Sequence, residues 1–191
     1  VGDYRFVDVN GDGKINQEND RAIVGNYMPD FYYGLSFSLG YKGFDMTASF
    51  QGVYGNEILN IERRYMVDYQ CNNGNTTEQL NRFPFGEGTR ETRKQTGYNQ
   101  SWISTAFLED GSYFRLQNLT LGYTLPQRWF RKIGLKQFRL YLQGTNLFTL
   151  THYTGYNPEV NRNASNALTP GEDYCSYPLQ RTFSLGLTLN L

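Results

Sequence analysis

The residues with the clearest capacity for chemistry lie in one short acidic segment near the start of the chain. From position 8, oxygen-bearing side chains occupy loop positions 1, 3, 5 and 9, and a glycine occupies position 6, where an EF-hand loop turns sharply. Calcium takes about six to eight oxygen ligands, and this spacing supplies them from a single segment. The predicted ligands are Asp8, Asn10, Asp12, Lys14 (through its main-chain carbonyl), Asn16 and Asp20.

The segment departs from the EF-hand pattern at its end. Position 12 should be acidic, but Asn19 stands there, and Asp20 follows one residue later. No helical pattern flanks the loop. The alternative interpretation is a turn cluster of Asn, Asp and Gly without a metal. If calcium binds, we expect it to be structural rather than sensory.

The sequence gives little indication of catalysis, nucleic-acid binding or a cysteine-based metal site. His152 is the only histidine, no nucleophile or phosphate-loop motif occurs, and no carboxylate pair can be assigned to acid–base work, so we do not expect an enzyme. Lys plus Arg (18) equals Asp plus Glu (18), which argues against nucleic-acid binding. Cys71 and Cys175 lack metal-binding spacing, and whether they pair as a disulfide stays open.

The chain is rich in aromatic residues, with 16 Tyr and 13 Phe. The aromatic girdles of a membrane barrel would explain this composition, and so would a carbohydrate-binding surface. Four tyrosines in the last long polar stretch could stack on a sugar or hold a peptide, or could simply pack within their loop. They are Tyr153, Tyr156, Tyr174 and Tyr177.

Five segments alternate apolar residues with small polar ones at period two, which predicts β-strands. Their bounds are 31–41, 43–53, 113–125, 136–147 and 181–191. The third segment changes its apolar face near Asn118, which predicts a bulge or an exit from the membrane there. Each segment matches a tilted membrane strand of about 9–11 residues. No run of 18 apolar residues occurs, so no transmembrane helix is expected, and the mean hydropathy of −0.61 still suits a barrel with a polar lumen.

The connections alternate between short and long. The first and third are short turns, whereas 54–112 and 148–180 are long polar loops, and 1–30 is an irregular segment. Outer-membrane barrels have short periplasmic turns and long extracellular loops, so the long loops and residues 1–30 are predicted to be extracellular. The basic and aromatic stretch 128–132 lies in a short turn, as either a headgroup anchor or a solvated turn.

The predicted fold is all-β, an antiparallel meander that forms the last strands of a large outer-membrane β-barrel. Five strands cannot close such a barrel, since the smallest bacterial ones have about eight. Open sheet edges are not tolerated in hydrocarbon. We therefore expect the rest of the barrel to precede Val1.

An ordered series of short motifs along nearly the whole chain resembles the SusC/RagA family of TonB-linked outer-membrane proteins. The series comprises DVNGDG at 8–13, then 20–21, 23–26, Pro29, Phe31, 34–35, 41–45, 50–56, 108–116, 118–123, 139–141, 144–148, 153–159, 177–179 and Arg181. Two features depart from the pattern: the extra residue before Asp20, and Leu191 at the end where barrel-assembly signals often have an aromatic residue.

The resemblance implies a large plugged barrel of about 22 strands in the outer membrane of a Bacteroidetes-type bacterium. It further implies import of glycans, peptides or similar nutrients, so that an oligosaccharide or a peptide is the substrate. The expected partners are outer-membrane lipid, a SusD-like lipoprotein, and TonB through the part that precedes this chain. The alternative is a secreted calcium-dependent carbohydrate-binding β-module, which would be soluble and monomeric.

Overall fold

The computed structural model describes residues 5–67, 102–130, 134–162 and 170–190, which fall into two compact units. The elements are β1 Phe31–Tyr41, β2 Phe44–Tyr54, β3 Glu57–Asn60, α1 Ile61–Val67, β4 Leu108–Asp110, β5 Tyr113–Thr124, β6 Gln137–Thr151, β7 Glu172–Asp173 and β8 Thr182–Asn190. The larger sheet is antiparallel, with strand order β1-β2-β5-β6-β8. The predicted all-β antiparallel fold is confirmed.

The first hairpin is set by its turn residues. Lys42 (φ 47°) and Gly43 (φ 91°) both adopt positive φ, the combination that a two-residue type I′ turn needs. That turn matches the right-handed twist of the flanking strands, so β1 and β2 pair without a slip from Tyr41↔Phe44 to Phe31↔Tyr54.

A β-bulge at Gln117 explains the change of face seen in the sequence. Ser49 pairs with Asn118 and Phe50 with Leu116, which leaves Gln117 as an extra residue in β5. The bulge predicted near Asn118 is therefore confirmed. Because one residue is inserted, Phe114 lies on the same face of the sheet as Leu119.

Strand β6 is longer than predicted. The sequence placed its end at position 147, but the strand continues to Thr151. Thr145 and Phe148 of β6 each pair with a residue of β5. Between these two pairs, two residues of β6 lie opposite the single Gln117 of β5, and one of the two, Asn146, has a φ of 53°. This irregularity breaks the period-two pattern at the point where the sequence indicated an end.

The long connections contain regular structure that the sequence analysis missed. The stretch predicted as loop 54–112 includes β3, α1 and β4, and the stretch 148–180 includes β7. Strands β4, β3 and β7 form a small second sheet. They have only two to four residues, too few to show a periodic pattern. Asn60 caps α1, since its side-chain oxygen accepts a hydrogen bond from Arg63 N (2.8 Å).

The unit that contains α1 and the small sheet has its own small core, in which Ile58, Ile61 and Phe107 are buried.

The helices in the described ranges are too short and too polar to span a bilayer.

Candidate functional site

The five-stranded sheet has one apolar face, and much of that face is exposed. Leu35 is 59% exposed and Leu185 is 82% exposed. Cross-strand pairing places the apolar residues of all five strands on this face: Leu35, Phe37 and Leu39 on β1; Met46 and Phe50 on β2; Leu119 and Leu121 on β5; Leu140 and Leu142 on β6; Phe183, Leu185 and Leu187 on β8. A water-facing sheet would expose polar residues instead, so this face is suited to hydrocarbon.

The opposite face is polar and built mainly of small residues. Ser36 pairs with Ser49 and Ser38 with Thr47, and the side-chain oxygens of the second pair lie 3.1 Å apart. On β8, Ser184, Gly186, Thr188 and Asn190 occupy this face. Such residues can line a wet interior.

Aromatic rings concentrate at both ends of the apolar face. At the end with the short turns, the Phe44 and Tyr123 rings lie 4.3 Å apart. At the other end, Phe31 stacks on Tyr54, with 5.2 Å between ring centroids, and Phe50 stacks on Phe114 at the same distance closer to the middle of the strands. Eleven residues of β1 separate the two ends. With a rise of about 3.3 Å per residue and a tilt of about 45°, they give a height of about 25 Å, the usual apolar band of an outer-membrane barrel.

An ion pair crosses the polar face near the short turns. Arg139 on β6 donates from Nε to Asp45 Oδ1 (3.0 Å) and from Nη2 to Asp45 Oδ2 (2.5 Å), in a bidentate arrangement. Asp45 lies on β2, so the pair reaches over β5 at Gly122. A Cβ atom at Gly122 would lie 2.5 Å from Arg139 Nη2 and from both Asp45 carboxylate oxygens. Glycine is therefore required for the two charges to meet.

Gly122→Ala is expected to lower the unfolding free energy of the protein by about 1 kcal/mol, the upper end for a partly exposed ion pair. Gly40→Ala is the matched control, because Gly40 lies on the same polar face and its Cβ would meet only Phe44 O, at 3.9 Å. Urea titration of the protein in lipid vesicles measures both changes. Equal stability of the two variants would contradict the role assigned to Gly122.

A second cation on the polar face is almost fully buried. Arg115 on β5 is 2% exposed. It donates from Nε to Thr149 Oγ1 and from Nη2 to Asn157 Oδ1, both at 2.9 Å, and its guanidinium lies 4.8 Å from the Tyr113 ring centroid. Asn157 belongs to the segment that follows β6, so Arg115 fastens that segment to the strands.

The predicted calcium loop folds on itself through its aspartates. Asp8 accepts hydrogen bonds from Gly11 N (2.7 Å) and Gly13 N (2.8 Å), and Asp12 accepts one from Lys14 N (2.7 Å). Gly11 and Gly13 have φ of 75° and 77°, so the tight turns need glycine.

Asp20 closes this loop despite the extra residue before it. Its two oxygens accept hydrogen bonds from Val9 N (2.9 Å) and Asn16 N (2.7 Å). The Asn16 and Val9 amides hold the pKa of Asp20 below its ordinary value. Among the described residues, no three His, Cys, Asp or Glu side chains form a group that could hold a metal. A calcium ion here would also need the oxygens of Asn10, Asn16 and Lys14.

The four predicted ligand-contacting tyrosines differ in exposure and are divided between the two units. Tyr153 is 5% exposed and lies against Gly155, whereas Tyr156 and Tyr177 are well exposed. Tyr174 belongs to the other unit, where its ring makes an edge contact with Tyr65 at 5.7 Å. Among the four, Tyr156 and Tyr177 present the largest exposed surfaces.

Cys175 is a free cysteine near two acidic side chains. Burial raises the pKa of its thiol, and the charges of Glu62 and Asp173 raise it further. The thiol is therefore a poor nucleophile at neutral pH. Its candidate disulfide partner, Cys71, lies outside the described residues.

Arg115, Asn157 and the pair Asp45–Arg139 were missed by the sequence analysis. The available signal was a charged residue at an interior strand position, on the face otherwise occupied by Ser, Thr and Gly. Charges are rare at such positions unless they have partners.

No family model matches the chain. The chain is 38% identical over 188 residues to TonB-dependent receptor P3 of Formosa agariphila, an alignment that covers 96% of the chain and 18% of that receptor. It is 32% identical over 197 residues to TonB-dependent receptor P26 of the same organism, with 99% and 20% covered. Against TonB-dependent receptor SusC of Bacteroides thetaiotaomicron, identity is 28% over 191 residues, with 96% and 17% covered.

Among solved structures, the chain is similar to one from the RagAB peptide importer in its open-open state. The TM-score is 0.73 at 24% identity, covering 93% of this chain and 19% of that one. This likeness shows the fold, an incomplete part of an outer-membrane barrel. The chain spans about a fifth of the length of the curated relatives it matches. Along nearly all of its residues, the chain therefore matches TonB-dependent receptors in sequence, SusC among them, and it shares the fold of a chain of the RagAB importer.

Proposed function

We propose that the chain forms part of the wall and outer loops of a TonB-dependent importer of nutrients in the bacterial outer membrane. The observation that supports this most directly is the sheet with an exposed apolar face about 25 Å tall and a polar opposite face. The apolar face contacts lipid, and the polar face lines the passage. The chain contributes binding and structure and carries out no bond-making chemistry.

The substrate class proposed is an oligosaccharide or a peptide. One solved relative is named as a peptide importer, and exposed rings such as Tyr156 and Tyr177 can stack on sugar rings or pack on peptide side chains. The partners proposed are a SusD-like lipoprotein at the outer loops and TonB acting through the part of the receptor outside this chain. The residues 1–30 and the loops 54–112 and 148–180 lie on the extracellular side in this proposal.

The orientation of the two faces can be tested on β6 in the full-length receptor, made free of other cysteines. Leu142 lies on the apolar face and Gln143 on the polar face. Gln143→Cys is expected to react with a water-soluble maleimide, and Leu142→Cys only with a lipid-soluble one. The secreted carbohydrate-binding module, by contrast, would be recovered without detergent, and both cysteines would react in water.

The import role has its own test. Deleting the receptor gene should abolish growth on oligosaccharides or on peptides as the sole carbon source, and deleting the TonB gene should have the same effect. The SusD-like lipoprotein should co-purify with a tagged receptor. Normal uptake of both nutrient classes without the receptor would contradict the proposal.

We also propose that the segment 8–20 binds one structural calcium ion. The observation that favours this is that Asp20, which follows Asn19, accepts hydrogen bonds from Val9 N and Asn16 N and so closes the loop with a carboxylate. Each carboxylate oxygen that accepts one amide hydrogen bond keeps a second lone pair for a cation.

The variant Asp8→Ala/Asp12→Ala should lose one calcium equivalent in calorimetry of the full-length receptor, because two of its charged ligands are removed. Glu18→Ala is the matched control, since Glu18 lies in the same segment but outside the ligand pattern. An unchanged calcium stoichiometry in the double variant would reject the site.

The pH dependence of the loop follows from Asp20. The folded loop lowers the pKa of Asp20, so ionised Asp20 stabilises the folded loop. This stabilisation is fully present above the ordinary aspartate pKa of about 3.9, and it is lost as the pH falls through the lowered pKa. Calcium release by protonation of Asp20 is therefore expected only in strong acid, below the pH at which an ordinary aspartate titrates.

A further inference from the structure

The end of the sheet with the short turns carries a rim of exposed cations beside exposed aromatic rings. Lys42 lies in the β1–β2 turn, and Arg128 and Lys136 lie in the β5–β6 connection. Tyr41 is 70% exposed and Trp129 is 65% exposed. Together these five residues, Tyr41, Lys42, Arg128, Trp129 and Lys136, are called the short-turn rim below.

The two turns of the rim are joined directly. Thr124 N donates to Gly43 O (2.7 Å), so the β1–β2 turn lies against the start of the β5–β6 connection. A Cβ at Gly43 would lie 2.7 Å from Thr124 O, which shows how closely the two backbones approach. Lys136 N donates to Asn190 O (2.8 Å), which extends the rim to the end of β8.

Arg128 and Trp129 are displayed by an ordered turn. Pro126 precedes a 3-10 turn at Gln127–Trp129, closed by hydrogen bonds from Trp129 N to Pro126 O (3.1 Å) and from Phe130 N to Gln127 O (3.2 Å). Phe130 is buried and lies 6.4 Å from the Phe138 ring centroid. Because Phe130 anchors this turn, Trp129 is held exposed beside Arg128.

The charges of the rim are of one sign. The described acidic residue at this end is Asp45, and it is paired with Arg139. Within the described residues, Lys42, Arg128 and Lys136 form no ion pair, and the Lys42 ammonium lies 5.1 Å from the centroid of the Tyr41 ring. Arg131 and Lys132 lie outside the described residues.

The position of these cations beside the apolar face indicates what kind of molecule they bind. In register, Tyr41, Phe44 and Tyr123 form the last row of the apolar face, and the cations lie one turn beyond that row. In a bilayer, aromatic rings mark the headgroup level and basic side chains next to them reach the phosphates. An acidic protein would need no aromatic row in register with an apolar band.

We infer that the short-turn rim binds the phosphate-bearing headgroups of anionic phospholipids in the membrane leaflet it faces. This inference rests on the proposed membrane location of the sheet. The rim then fixes the depth of the wall, because the cations hold to the phosphates while the apolar rows stay in hydrocarbon.

The test uses the full-length receptor, purified in a neutral detergent and mixed with equal amounts of phosphatidylglycerol and phosphatidylcholine. Native mass spectrometry measures the lipids that stay bound. The wild type should retain phosphatidylglycerol, and the variant Lys42→Gln/Arg128→Gln/Lys136→Gln should retain it about a hundredfold less, since each of the three basic residues ordinarily contributes about fivefold to the attraction to an anionic surface. Glycerol phosphate, a soluble headgroup, should not compete.

The matched control removes three exposed cations elsewhere, as Arg5→Gln/Arg21→Gln/Arg181→Gln, and should retain phosphatidylglycerol like the wild type. Equal loss in both variants, no preference between the lipids, or full competition by glycerol phosphate would overturn the inference. Membrane insertion is scored separately, by heat-modifiable migration of the receptor on gels. A receptor that inserts normally but shows no lipid preference contradicts only the rim, whereas a receptor that never inserts contradicts the proposed location.

Discussion

Leu35→Arg is expected to destabilise the full-length receptor by about 2–4 kcal/mol, the cost of arginine on the lipid face of a barrel near the bilayer midplane. Leu35 lies near the middle of β1, is 59% exposed, and belongs to the apolar face. Its register neighbour on that face is the apolar Phe50. The guanidinium would therefore have to reach toward the headgroups across about half the apolar band.

Ser36→Arg is the control, since Ser36 is the next residue on the same strand and faces the polar side, where its hydroxyl lies 3.3 Å from Ser49 Oγ. Both variants add the same charge to the same strand, so the difference between them reports only the face. Urea unfolding from lipid vesicles, followed by tryptophan fluorescence, measures both. Similar stabilities would mean that both faces of β1 meet water, and the assignment of wall and lumen would fail.

The large sheet could be predicted because its signal is repeated over long strands. Alternation over about ten residues fixes the face of each side chain, and a one-residue error would reverse every position, so the pattern defines strand and register together. Even the bulge at Gln117 left a trace, as a shift of the apolar residues from Leu116 to Leu119. The end of β6 was misplaced for the same reason, because the irregularity at Asn146 interrupts the alternation before Phe148.

The small sheet and the buried contacts could not be predicted, because they depend on partners far away in sequence. Strand β3 pairs with β7 at Leu59↔Glu172, more than a hundred residues apart, and neither strand has a periodic pattern of its own. The acidic loop is the opposite case. Its predicted ligands lie within thirteen residues, so local spacing sufficed to predict that Asp8 and Asp20 belong to one loop, while the binding of calcium stays a prediction.

The burial and the hydrogen bonds of Arg115 cannot be predicted from the period-two pattern. Its position on β5 predicts one more residue of the polar face, yet it is buried and bound to Thr149 and Asn157. A buried guanidinium is stable only when its donors are satisfied. The segment after β6 must therefore adopt the conformation that brings Asn157 to the strand, and the arginine selects that conformation.

Arg115→Met is expected to release this segment at a cost of about 1.5–3 kcal/mol, the range for hydrogen bonds to a charged group. Methionine keeps most of the side-chain volume but donates no hydrogen bond, so Asn157 and Thr149 lose a partner. Limited proteolysis of the full-length receptor should show faster cleavage at 152–158, while heat-modifiable migration stays normal because the strands still pair.

Arg115→Lys separates charge from geometry. Lysine restores the positive charge but cannot reach Thr149 Oγ1 and Asn157 Oδ1 with two planar donors at once. It should therefore recover only part of the protection. Arg181→Met, which removes an exposed arginine before β8, should leave the cleavage rate at 152–158 unchanged.

A double-mutant cycle with Asn157→Ala identifies the contact itself. If the hydrogen bond between Arg115 and Asn157 holds the segment, the two substitutions together should cost less than the sum of the two alone, by about 1 kcal/mol or more. Strict additivity, or a cleavage rate in Arg115→Met equal to that of the wild type, would show that the segment is held by other contacts. Arg115 would then have no role in holding the segment after β6.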